Sequence, residues 1–314
     1  MSDSALQSLF RVFDSAKRAS GNHVRFLPGV DAPRISSKPA VESGSLNLRE
    51  LVVSASAADT SSSITYDNVP IVVQKSKSAP VAGIVIANSL VAAAGATIVV
   101  AAERNAAYSG TVPLFYRDAG IFRVVEAANF LDVADGDSAT LQNNPWNQAA
   151  IAWADAPSVA FRTTISRRQQ KDAGGEQIVE NLLGSIIRGL SVAADRTLLG
   201  AVEAQATSSF SLAKAASRGL KFDELRAFVG QRGDNAQIDA AGTLRVEGIQ
   251  AELTPSCERS IIGSFSRSAV AIHPDINVHF ERLNAEGEMR CTVFASLVPL
   301  LPDGSAFWVA GDVA

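Results

Sequence analysis

Apolar positions along this chain recur at two periods, and the most regular run has the helical one. From Glu176 to Leu199, Ile178, Val179, Leu182, Leu183, Ile186, Ile187, Leu190, Val192 and Ala193 form one broad stripe. The spacing predicts a helix about 36 Å long at about 1.5 Å per residue. Glu176 suits the positive end of its dipole, and Gly200 is placed to end it. A shorter amphipathic helix is expected over residues 4–18, capped by Ser4, with Leu6, Leu9, Phe10 and Phe13 on one face. At that length it is not stable alone, so the face must dock on something.

Period-two and β-branched runs predict strands at Ser158–Ile165, Ala269–Ile272, Asn277–Phe280, Cys291–Ala295 and Phe307–Val309. Asn284 and Gly287 supply the turn of a hairpin joining two of them. Between residues 69 and 131, strands are expected at Pro70–Gln74, Gly83–Ile86, Thr97–Val100, Val112–Tyr116 and Ile121–Val125. Residues 19–68 are rich in Ser and Thr with isolated apolar pairs, and read as an extended arm or a linker. Phe222–Val229 reads as a short helix. Residues 201–220 and 231–242 read as loop and turn, and 253–262 as a connection.

Composition narrows the function classes. Lys and Arg total 28 and Asp and Glu 32, a net charge of −4, with no basic excess for wrapping nucleic acid. Charged residues are 19% of the chain, against roughly 25% in an average soluble protein, and hydrophobic residues are 47%. Disorder over most of the chain is excluded, and the low charge points to surface covered by partners. The uncharged stretch Ser78–Ala102 is long enough to span a bilayer, but Pro80, Gly83, Asn88, Ser89, Gly95 and Thr97 favour buried sheet. Cys257 and Cys291 cannot make a disulfide framework. Residues 1–11 lack the pattern of a secretory signal, so a reducing compartment is expected.

No phosphate loop, dinucleotide fingerprint or nucleophile elbow occurs; Gly263-Ser-Phe-Ser266 lacks the second glycine of the last. His273 and His279 would share a strand face, but Pro274 interrupts the strand and no partner has ligand spacing. The acidic turn Asp132-Val-Ala-Asp135-Gly136-Asp137 has Asn143 where a calcium loop needs Glu, and reads as solvated. Arg167, Arg168 and Lys171 resemble a phosphate-contacting cluster but suit a solvated or subunit-contacting face. Glu281, Glu286 and Glu288 suit interfacial salt bridges better than acid–base chemistry. The expectation is a structural protein, with no catalytic residue, cofactor or metal.

Two stretches carry a family resemblance. The first is Phe161-Arg-Thr-Thr-Ile-Ser166-Arg-Arg-Gln-Gln, followed by the long helix ending Ala193-Ala-Asp-Arg-Thr-Leu-Leu-Gly200. The second is Ile262-Gly-Ser-Phe-Ser266-Arg-Ser-Ala-Val270, then a strand pair and Pro302-Asp-Gly-Ser-Ala-Phe307. In order and spacing these resemble the major capsid proteins of tailed bacteriophages, the HK97-type fold, over roughly the C-terminal half.

The resemblance implies an α+β fold with an N-terminal arm (1–68) and an extended-loop region with buried strands (69–165). A spine helix (166–200), an axial domain (201–268) and C-terminal peripheral strands (269–314) would follow. Because 201–268 is short for an axial domain, strands from 69–131 could join it in a rearranged chain order. It further implies a homo-oligomer of hexamers and pentamers in an icosahedral virion capsid, enclosing double-stranded DNA without sequence-specific binding and assembled in the host cytoplasm. Scaffolding, portal and decoration proteins would be its partners, with no membrane. A start at Met1 fits a chain without a cleaved pro-region. An encapsulin-type nanocompartment shell, or a tail or decoration protein, are the alternatives.

Overall fold

A computed structural model describes residues 4–18, 23–25, 34–36, 41–48, 52–54, 63–66, 69–72, 78–101, 104–105, 117–118, 120–135, 138–233, 235–284 and 286–311. The architecture is α+β: a long helix lies against one six-stranded sheet, and a second six-stranded sheet follows its C-terminal end.

The helix runs from Gly175 to Gln205, through Gly200 rather than ending there. A Cβ at Gly200 would meet nothing, so this glycine is an exposed helical residue and the periodic stripe continues to buried Val202. The preceding helix, Arg167–Ala173, starts with a capping box in which Ser166 and Gln169 satisfy each other's backbone N–H groups. Gly174, at φ 75°, breaks the chain between the two helices.

The first sheet is organised by the twelve-residue strand Met289–Leu300. One edge pairs with Ser158–Ile165 over its whole length. The other pairs with Ala269–Ile272 and then Asp275–Arg282. Between the pairs Ile272↔Leu297 and Asn277↔Phe294, one strand advances 277 − 272 = 5 residues and its partner 297 − 294 = 3. The two surplus residues form a bulge at His273–Pro274, where proline has no amide to offer the ladder. Val41–Asn47 and Thr97–Val100 complete the sheet, the first antiparallel and the second parallel to their neighbours. Odd-numbered residues of Met289–Leu300 (Met289, Cys291, Val293, Ala295, Leu297) face the long helix in the main core.

The second sheet has the order Ala236–Ile238, Leu244–Val246, Ile249–Leu253, Arg226–Val229, Ile261–Gly263, Phe307–Val309. Its last strand comes from the C-terminal region, which the resemblance assigned to the peripheral strands. Thr97–Val100, in contrast, sits in the first sheet, and none of the second sheet's strands comes from residues 69–131.

Several local expectations are corrected. Gly83–Ile86 is not a strand but lies in the helix Val81–Asn88. A short run that is apolar on every side carries no period, so the packing decided. Phe222–Val229 is not a helix: Phe222–Glu224 is a single 3-10 turn and Arg226–Val229 a strand. Leu225, Phe228 and Val229 mimic helical spacing because the strand is buried on both faces. Residues 201–220 hold the end of the long helix and the helix Leu212–Ser217. Residues 231–242 include the strand Ala236–Ile238, and 253–262 joins two strands. Within 19–68, Val41–Asn47 is a full sheet member with Leu46 and Leu48 buried. The strand expected at Val112–Tyr116 lies outside the described residues. No helix among the described residues is long and apolar enough to cross a membrane.

The long helix also buries a carboxylate. Asp195 accepts hydrogen bonds from Ser89 Oγ (2.6 Å), Leu90 N (3.1 Å) and Val91 N (3.1 Å), capping the short helix Leu90–Ala93 from across the core. One turn earlier, Ser191 Oγ donates to the Val85 carbonyl at 2.9 Å. Burial raises the Asp195 pKa, and the three hydrogen bonds partly offset it. The Asp195→Ala chain orphans three buried donors and is expected to lose about 3 kcal/mol in urea unfolding of the unassembled protein.

Candidate assembly surfaces

Three features bear on how the chain could meet a neighbour, two closed on the chain itself and one open, and each grows from a local rule. The first is the N-terminal helix. Leu9, Phe13 and Ala16 are buried, and the helix packs on Val41–Asn47, Asp275–Arg282 and the start of the long helix. Phe13 meets Phe280 edge to face with ring centroids 5.4 Å apart. Two glycines make the room: a Cβ would lie 3.1 Å from Val12 Cγ2 at Gly44 and 3.2 Å from Phe10 Cε2 at Gly175. The amphipathic face therefore docks on its own chain.

The second is the junction of the motifs that carried the resemblance. Phe265 stacks edge to face with Phe228 (4.7 Å) and Phe307 (5.2 Å), all three buried. Ser264 N donates to the Ala306 carbonyl (3.2 Å). A Cβ on Gly263 would overlap the Phe307 ring and lie 2.7 Å from the Ala306 oxygen. Gly-Ser-Phe-Ser and the distant Ala-Phe are thus two halves of one contact. Glu203, near the end of the long helix, accepts from the amides of Glu258 (3.2 Å) and Arg259 (3.0 Å) and ties the helix to the second sheet. A lone glutamate late in a helix gave no signal of that role in the sequence.

The third is a projecting hairpin. Ile121–Val125 pairs with Trp146–Ala150, and Glu126 N donates to the Pro145 carbonyl at 2.7 Å. At its root, Phe122, Ala149, Ile151 and Trp153 pack on Ala269, Ala271, Val298 and Leu300, covering the sheet face opposite the long helix. Glu126 also forms an ion pair with Arg267. Beyond the root the apolar side chains are exposed, Phe130 at 93% and Leu141 at 96%. Fully wetted side chains of this size mark a contact surface.

The residues singled out as possible chemistry are dispersed into structural work. His273 Nδ1 accepts from Asp275 N (3.2 Å) and its ring meets Trp153 edge to face, whereas His279 Nδ1 bonds Ser43 Oγ (2.8 Å). Glu281 pairs with Arg290 (3.2 Å) and Glu288 accepts from Asn284 (3.0 Å). Arg167, Arg168 and Lys171 are exposed on the helix Arg167–Ala173 and, among the described residues, only Arg168 is in an ion pair, to Asp172 at 3.5 Å. Asp132 and Asp135 are exposed on the hairpin. Cys257 and Cys291 are free, buried thiols. Burial pushes both up to about 12, with the Glu203 charge adding to the effect at Cys257. Among the described residues, no group of three or more His, Cys, Asp or Glu is placed to hold a metal ion.

A cleft of about 560 Å³ is lined by Gln205, Lys214, Arg218, Ser305 and Trp308. Its cations are engaged: Lys214 Nζ donates to the Ser209 carbonyl (2.6 Å), and Arg218 pairs with Asp303. Asp303 is burdened by partial burial, but bonds from the Ser305 hydroxyl and amide and from Arg218 outweigh it and lower its pKa.

No family model matches this chain, and no curated protein matches it. Solved structures do. The capsid of a native GTA particle, computed with C5 symmetry, aligns at TM-score 0.45 and 11% identity over 70% of this chain and 89% of that one. The satellite phage P4 procapsid including size determination (Sid) protein aligns at 0.40 and 12%, over 74% and 91%. A structure of Mycobacterium phage Adephagia aligns at 0.40 and 14%, over 72% and 91%. At this level of correspondence, function must be argued from the chain's own residues.

Two measurements check these assignments. Gly263→Ala forces the C-terminal turn away from the aromatic cluster, with an expected loss of about 1–3 kcal/mol in chemical denaturation. For Asp303 the pKa is lowered in the folded state, so its stabilisation is present above the unfolded carboxylate value and is lost as pH falls through the folded one. Asp303→Asn should therefore show a stability deficit at neutral pH that closes in acid, read from urea midpoints across pH.

Proposed function

We propose that this chain is an HK97-type major capsid protein, a structural subunit of an icosahedral shell that encloses double-stranded DNA. The observation that carries the reading is the projecting hairpin with Phe130, Leu131, Val133 and Leu141 all exposed to water: apolar side chains grouped on one projection mark a surface for another chain. In this reading the long helix and the first sheet are the peripheral domain. The second sheet, from residue 226 to 263 together with Phe307–Val309, is the axial domain, and residues 120–150 are the extended loop that overlaps a neighbour.

The hairpin root and the strand end at Met289 lie at opposite ends of the first sheet. A contact between the hairpin of one copy and a different surface of the next is heterologous, and such contacts close into rings when the rotation between copies closes. Hexamers and pentamers are the rings we propose, with scaffolding, portal and decoration proteins as partners. With a net charge of −4, the DNA is held by confinement rather than attraction, and the subunit performs no chemistry.

Negative-stain electron microscopy with mass measurement tests this, on the chain expressed alone and with its genomic neighbours. Rings of five and six subunits, or closed shells containing nucleic acid, are expected. Shells filled with a protein cargo would identify a nanocompartment instead, and a stable monomer in both preparations would overturn the reading. Replacing residues 127–144 by an Asn-Gly turn closes the hairpin where Glu126 and Pro145 already pair. That variant should unfold at the parent's urea concentration yet form no particles.

A further inference from the structure

The outer face of the first sheet, opposite the long helix, changes character part-way along. At Val298 and Leu300 it is apolar and covered by the hairpin root. Beyond them it turns polar. Asn47 pairs with Asp275, and Ser45 pairs with Asn277, which pairs in turn with Phe294. Paired side chains share a face, so Asn47, Asp275, Ser45 and Asn277 stand together on this side. Their neighbours in the strands, Leu46, Ile276 and Val278, are buried in the main core on the other. Ser296, two residues past Phe294, joins the polar group.

A cleft of about 490 Å³ opens where this patch meets the hairpin root, lined by Ser45, Trp153, His273, Asp275, Asn277 and Ser296. The bulge at His273–Pro274 brings the imidazole against Trp153, with ring centroids 5.1 Å apart and planes at 88°. Perpendicular rings make a corner rather than a flat wall. What sets this cleft apart is unspent hydrogen-bonding capacity. In the cleft beside Trp308 the cations are engaged within the chain. Here, among the described residues, Ser45 Oγ, Ser296 Oγ, the Asn277 amide and the Trp153 indole N–H make no hydrogen bond. The His273 ring uses only Nδ1, on the Asp275 amide (3.2 Å), and Asp275 uses only Oδ1, on Asn47 Nδ2 (3.2 Å). Nε2 of the one and Oδ2 of the other stay open.

The donor set selects the ligand. Among the described residues lining the cleft there is no Lys or Arg, so a phosphate or carboxylate would lack a counter-charge. One carboxylate and one imidazole are too few to hold a metal ion. An apolar molecule would strip water from these polar groups and give nothing back. Hydroxyls and an amide both donate and accept, the carboxylate accepts, and the indole donates. Beside two aromatic rings, that set suits a neutral molecule with hydroxyls around its edge and C–H groups on its face. We propose that this cleft binds a neutral saccharide, its C–H face in the Trp153–His273 corner and its hydroxyls on Asp275, Asn277, Ser45 and Ser296. The negative faces of the rings attract the C–H groups, and the polar groups fix the orientation. One chain builds the whole site, so it stands apart from the assembly reading.

Saturation-transfer NMR on the full chain tests this. The probes are the methyl glycosides of glucose, galactose and mannose, N-acetylglucosamine, and sorbitol, which has the hydroxyls of a hexose but no ring face. A ligand with a dozen or so heavy atoms reaches a dissociation constant of ~1–10 mM. At least one ring saccharide should saturate in that range, with transfer strongest to its ring C–H protons, and sorbitol should not. Asp275 and Asn277 are exposed, so Asp275→Asn and Asn277→Ala leave the core intact, which matched urea midpoints confirm. Each should weaken binding about tenfold. The proposal is overturned if no ring saccharide saturates below ~50 mM, if sorbitol binds as tightly as the best of them, or if both variants bind like the parent. None of these results depends on whether the chain forms particles.

Discussion

Along the Gly175–Gln205 helix, two polar residues interrupt a buried stripe of Ile, Val and Leu, and the placement of much of the chain follows from how they are satisfied. A carboxylate in such a stripe is costly to keep unless every nearby donor is aimed at it. Asp195 collects the Ser89 hydroxyl and two amides of the turn that follows, and Ser191 takes the Val85 carbonyl. Those bonds fix the helices Val81–Asn88 and Leu90–Ala93 on the long helix. The next strand, Thr97–Val100, then runs parallel to Ala269–Ile272 and not to any strand of the second sheet. A polar pair on one helix thereby decides which sheet a distant strand joins.

The same logic explains what could be read in the linear chain and what could not. The long helix, the Ser158–Ile165 strand and the hairpin around Asn284 and Gly287 have strong periods or unambiguous turn chemistry, and each is found where the pattern puts it, except that the helix runs past Gly200 to Gln205. Gly83–Ile86 has neither, since four apolar residues in a row suit any buried element. The deciding partner, Asp195, stands more than a hundred residues away. Phe222–Val229 misleads for the opposite reason: a doubly buried strand with apolar residues at chance offsets imitates a helix. The motifs Gly263–Ser266 and Ala306–Phe307 were legible as words, but only the fold reveals that one glycine, lacking a Cβ, lets the other segment in. Glu203 and the Glu126–Arg267 pair offered no pattern at all.

The chain separates into a part that satisfies itself and a part that does not. The N-terminal helix docks in cis, the two sheets share the long helix, and the buried cysteines are chemically quiet. The hairpin beyond Glu126 spends its apolar residues outside this economy. Low overall charge belongs to the same division, leaving fewer charged groups to hydrate the surface around those exposed apolar side chains.

Phe307–Val309 is the final strand of the second sheet, lying on Ile261–Gly263 and joined by Phe210 N to the Val309 carbonyl at 2.8 Å. Synthesis proceeds from the N-terminus, so Ile261, Ile262 and Phe265 remain without their cover until Phe307–Val309 has been made. A chain truncated before Phe307 keeps its hairpin and all six strands of its first sheet, yet lacks a closed second core. Closure of the second core thus waits on a segment more than forty residues downstream of the strand it covers, and a chain released before that point is marked as unfinished by the apolar face it leaves in water.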